Sequence, residues 1–172
     1  MRKEGHSVWG HFGFSYIGLI YLLLLFIPNG LWSRNKPIDY HPEDENRVLA
    51  LLEKVGQVGC TCAALIFRDY NLRPFSPWSL FLILSFLLMI LYEIVWIRYF
   101  CGDRTTASFY RPLWGIPVPL ASLPVAAFLL LGIYGRVIWL TAASVILGIG
   151  HIGIHLQHAR SGSLLKHRRK GK

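Results

Sequence analysis

Two histidines four residues apart, His151 and His155, lie inside Val137 to Ala159, a stretch of 23 residues without Asp, Glu, Lys or Arg. On a helix that spacing puts both imidazoles on one face, where they can share a metal ion or a substrate. Ser144 and Gly148 extend the same face. Two carboxylates also interrupt apolar sequence, Glu53 and Glu93. Ionisable groups within membrane helices are costly, and they usually face a bundle interior or a water-filled cavity. Two Glu and two His at one depth would form a metal-binding or proton-handling set.

The elements that must position these residues follow from length and composition. The chain has 172 residues, 53% hydrophobic and 16% charged, against about 25% charged for an average soluble domain. Four stretches of 29, 19, 24 and 23 residues (Gly5 to Ser33, Pro74 to Tyr92, Pro112 to Gly135 and Val137 to Ala159) carry no charge other than histidine. A bilayer core takes about 20 apolar residues of helix. The expected fold is therefore all-α, an integral membrane bundle of five transmembrane helices forming one polytopic domain. The spans fall at about 9–32, 48–67, 78–99, 113–134 and 137–158, followed by a basic tail at 160–172. The glycines at 10, 13 and 18 form no phosphate loop and are assigned to helix packing. The acidic run Glu43-Asp44-Glu45 suits the first turn of the second span.

That second span is the most polar, with Glu53, Lys54 and Gln57. Small residues at Gly56, Gly59 and Ala63 permit close helix contact. A four-span form, with this segment outside the membrane, is the runner-up. Pro117, Pro119 and Pro124 predict a fourth span bent in its first half.

Lys and Arg orient membrane proteins, being enriched on the cytoplasmic side. The five-span arrangement places 12 of them on the tail side and 5 on the N-terminal side, against 11 and 7 for the four-span form. This predicts a cell-membrane protein with its N-terminus outside and its C-terminus cytoplasmic. In that orientation Glu53, Glu93 and His155 lie about five residues, or ~8 Å, in from the cytoplasmic surface, with His151 one turn deeper. His11 falls at the opposite surface and is excluded from the set.

Structural readings stand beside each of these. Glu53 and Lys54 can reside among headgroups, Glu93 can pair with Arg98 or Lys54, and His155 and His158 can be interfacial basic residues. Cys60, Cys62 and Cys101 are too few for a disulfide framework, and Cys60 and Cys62 point to different helix faces. The net charge of +9 is read as topology rather than nucleic-acid binding. The expected partners are the bilayer and, at a frayed tail, anionic lipid contacted by Lys166, Arg168, Arg169 and Lys170.

The His151-x-x-x-His155 pair resembles the final motif of the membrane hydrolase superfamily that contains alkaline ceramidases and adiponectin receptors. The resemblance covers these two residues alone. That superfamily has seven spans and a further Ser, Asp and His set with no counterpart at matching positions here, so no site residue is carried over.

Three functions compete. The first moves or senses an ion or small solute through the Glu/His layer. The second is a metal-dependent enzyme acting on lipid, with His151 and His155 as ligands and a Glu as general base. The third is a scaffold or partner subunit without chemistry. Transport or sensing ranks first, because prolines beside polar residues are common where a pathway opens.

Overall fold

The computed structural model describes residues 8–37 and 45–170, the last ten for their backbone alone. It contains six α-helices: α1 (Tyr16–Arg34), α2 (Arg47–Ile66), α3 (Ser79–Cys101), the single turn α4 (Thr106–Phe109), α5 (Pro119–Gly135) and α6 (Ile138–Lys170). A 3-10 turn, Arg68–Tyr70, follows α2. Among the described residues β-structure is limited to two isolated bridges. Four helices, α1, α2, α3 and the Ile138–Arg160 part of α6, are long and apolar enough to cross a membrane. The segment 48–67 thus has the length of a span, despite its polar start.

The first span begins later than the sequence predicts. Residues 9–15 are extended, not helical, and lie along the end of α2. Gly13 N–H donates to Ile66 O at 2.9 Å and Ser15 N–H to Leu65 O at 3.0 Å. Gly10, with φ of +81°, adopts a conformation that a continuing helix excludes. Of the three early glycines, only Gly18 serves helix packing: a Cβ there would sit 1.8 Å from the Ala64 carbonyl oxygen. The Ser15 hydroxyl accepts from Gly18 N–H and caps α1.

The fourth span differs more. Leu113 to Val118 is not helical; Leu113 and Ile116 bridge to each other, and Val118 takes φ of +42°. Pro119 then occupies the first turn of α5, where its missing N–H costs nothing. Pro117 and Pro119 thus end a loop, while Pro124 lies inside α5. The resulting α5 has 17 residues, about 26 Å against a core of about 30 Å. Twelve of its residues are buried, which makes it the most buried of the long helices. The bundle thus has four helices of spanning length and a shorter fifth.

Contacts at the ends show that the five long helices alternate in direction. At one end Ile138 N–H donates to Val8 O, and the Arg73 guanidinium donates to Tyr134 O. At the other, Trp32 stacks on Phe109 and Glu53 meets His151. The principal packing runs α1 on α2, α2 on α6, α6 on α5, α5 on α3 and α3 on α1, a closed ring. Buried hydrogen bonds cross it: Tyr21 O–H donates to Ser85 Oγ at 2.9 Å, and Ser85 O–H to Ala127 O at 2.6 Å.

The second helix is capped by the Asn46 side chain, which accepts from Val48 and Leu49 N–H. Its first turn holds no acid. Glu45 precedes the cap, while Glu43 and Asp44 lie outside the described residues. The backbone of 161–170 continues α6 instead of fraying. The side chains of Lys166, Arg168, Arg169 and Lys170 lie outside the described residues.

Candidate functional site

The most extensive helix–helix contact among the described residues, between α2 and α6, is made by small residues. A Cβ on Gly56 would lie 2.5 Å from the Leu147 backbone, and one on Gly150 would lie 2.4 Å from Glu53 N and 2.7 Å from Leu49 O. Neither helix can carry a side chain at these crossings, and backbones close to this degree where only hydrogen occupies the gap. The Gly150 crossing brings the α6 backbone against Glu53. The next residue, His151, then reaches the carboxylate.

His151 Nδ1 lies 2.5 Å from Glu53 Oε1. Both side chains are about one-fifth exposed, 22% and 20%, so the pair is sheltered yet reachable from outside. A single proton lies between nitrogen and oxygen whether the pair is imidazolium with carboxylate or imidazole with carboxylic acid. In both states the second ring nitrogen carries a proton of its own.

His155 follows one turn along α6. Its ring centroid is 4.5 Å from that of His151, and it stacks on Phe109 at 5.9 Å. His155 Nδ1 is buried without a hydrogen-bond partner. Beyond it, Tyr110 Oη lies 3.4 Å from His158 Nδ1, and His158 Nε2 lies 4.0 Å from Glu45 Oε1. Phe109, 6% exposed, holds this end together by contacting Trp32 of α1, Trp96 and Tyr99 of α3, and His155.

The structure therefore brings Glu53, His151 and His155 into one group. Glu93 stands apart on α3. Its Oε1 is buried without a hydrogen-bond partner, and among the described residues no ion pair joins it to either histidine, to Arg98 or to Lys54. Arg98 instead donates to Arg111 O at 3.1 Å, and Lys54 is exposed. Among the described residues no group of three or more His, Cys, Asp or Glu side chains could hold a metal ion. Among the described residues His151 and His155 are thus not joined by the further His, Cys, Asp or Glu side chains that usually complete a zinc site.

Sequence reasoning missed Tyr110 and gave His158 only an interfacial role. The spacing of 4 and then 3 from His151 to His155 to His158 is the stripe of one helix face, and it was the available signal. Tyr110 comes from a loop, which no helical periodicity could bring to α6.

At the opposite end, His11 N–H donates to Asp69 Oδ2 at 2.6 Å and its ring nitrogen Nδ1 to Asp69 Oδ1 at 2.8 Å. With Arg68 N–H donating to His11 O, this clamps the extended segment to the end of α2. Burial and the neighbouring Asp69 carboxylate hold the Tyr70 phenol well above its ordinary pKa there.

Four helices long and apolar enough to cross a membrane, packed in one all-helical bundle, support a membrane-embedded protein. Comparison with protein-family models, curated proteins and solved structures gave no significant match.

Proposed function

We propose that this small multi-pass membrane protein moves or senses protons or small cations at the Glu53–His151 pair. The observation that carries the reading is the 2.5 Å contact between two ionisable groups on facing helices. Such a pair can exchange a proton at little cost and can release or accept a second charge. Its partial exposure gives the proton a route out. The donor set gives no comparable support to a metal-dependent lipid hydrolase.

The orientation that accompanies this function puts the N-terminus outside and the tail in the cytoplasm, so that the pair opens inward. Lys166, Arg168, Arg169 and Lys170 then face anionic headgroups.

Liposomes carrying the purified protein and a trapped pH dye test the reading. A potassium diffusion potential set by valinomycin should drive a proton flux that Glu53→Gln abolishes. Absence of flux would leave sensing, read as a pH-dependent change in helix packing that the same substitution removes. Absence of both would overturn the proposal and favour a scaffold.

A further inference from the structure

Three histidines share one stripe of α6, and two of them carry buried ring nitrogens without hydrogen bonds, His155 Nδ1 and His158 Nε2. Orphaned buried polar atoms are rare enough that each needs a physical reason. Here both lie along one path. The path starts at Glu53, passes through His151 to the His155 ring, 4.5 Å centroid to centroid, and continues to the Tyr110 ring at 5.9 Å. From the Tyr110 hydroxyl it reaches His158 at 3.4 Å and then Glu45, which is 44% exposed, at 4.0 Å.

The geometry points to a water-fed proton file along this face of α6, in which Tyr110 and His158 connect the Glu53–His151 pair to the surface at Glu45. The inference rests on the proposed reading of that pair and adds its route. The ligand is water. A bridging water needs two or more polar partners, and His155 Nδ1 and the Tyr110 hydroxyl supply them.

Each transfer breaks one N–H or O–H bond and forms another. Tyr110 O–H donates to His158 Nδ1 while its oxygen takes a proton from the His155 side. His158 then releases its Nε2 proton to Glu45. One proton enters at His151, one leaves at Glu45, the hydroxyl is unchanged, and His158 ends protonated on Nδ1 instead of Nε2. The charged and titratable groups around the file are Glu45, Glu53 and Lys54 from α2 and the residues before it, Tyr110 after α4, and the three histidines. Glu93 of α3 makes no ion pair with them, and Arg98 is held on Arg111 O. Phe109 seals the side facing α3.

The test reads exchange at the rings directly. Full-length protein with 15N-labelled histidine is placed in nanodiscs, and solvent exchange of the His155 ring proton is measured by NMR. Tyr110→Phe keeps the ring contacts with His155 and Phe109 but removes the hydroxyl. It should slow exchange by about 100-fold, the lower end of what a positioned proton donor contributes. If that variant fails to fold, His158→Gln interrupts the next link and should give the same slowing. Unchanged exchange in a folded variant overturns the file. Silent liposomes and no pH-dependent change in helix packing, together with slowed exchange, would instead refute the proposed function and leave the route standing.

Discussion

Gly150→Ala is the sharpest test of the α2–α6 contact that creates the site. The added Cβ would lie 2.4 Å from Glu53 N, 2.7 Å from Leu49 O and 2.8 Å from Glu53 Cα. All three atoms are backbone, so no side chain can rotate away. Ordinary heavy-atom contact needs about 3.5 Å, and α2 must therefore withdraw by about 1 Å. Overpacking of this kind costs ~1–3 kcal/mol. The same withdrawal stretches the 2.5 Å Glu53–His151 contact beyond hydrogen-bonding distance, and a bond to a charged group contributes ~1.5–3 kcal/mol. Alanine's better helix propensity returns ~0.5–1 kcal/mol. The net expectation is a loss of about 2–5 kcal/mol. Gly30→Ala is the matched control, since its Cβ meets nothing within 4 Å and should leave stability equal or slightly raised. Equilibrium unfolding of both variants in bicelles by steric trapping measures the difference. Equal stability of the two would refute the argument that backbone contact at Gly150 seats the carboxylate.

Three further outcomes are expected. Because burial keeps the Tyr70 phenol protonated in the folded protein, the unfolded chain loses this proton first as pH rises past about 10, so stability falls above that pH; Tyr70→Phe should flatten the decline in an alkaline unfolding series, and an unaltered slope would exclude Tyr70 as its source. Single cysteines placed near residue 9 and near residue 160 in a cysteine-free background should react with an impermeant label from opposite faces, whereas labelling from one face would favour the four-span form. A peptide of residues 160–172 should prefer anionic over neutral vesicles by about 1 kcal/mol per basic residue, and equal partitioning would remove lipid contact as the role of the tail.

The parts of this fold that were legible in the sequence are those governed by length and by small residues. The uncharged stretches marked the long apolar helices, and Gly56, Gly59 and Ala63 marked the face of α2 that meets α6. Hydropathy alone misplaced two boundaries. Residues 9–15 are apolar enough for a span, but Gly10 and the hydrogen bonds of His11 to Asp69 hold them extended. Leu113 to Val118 are equally apolar, but Pro117 and Pro119 keep the helix from starting before Pro119. At the candidate site, the common depth of Glu53 and His151 followed from rise per residue. Glu93 shares that depth, yet depth does not specify which helices are neighbours in a ring, and α3 packs chiefly on α5 and α1.

The order of synthesis gives the α2–α6 contact a further consequence. Only Arg136 and Val137 separate α5 from α6, so the two emerge from the ribosome as one helical hairpin. The helix that α6 must meet was made about ninety residues earlier. Until then α2 has an unsatisfied Glu53 and an open row of glycines. Arrival of the hairpin fills that row and gives the carboxylate its partner, so α2 is the helix that waits longest for its principal neighbour.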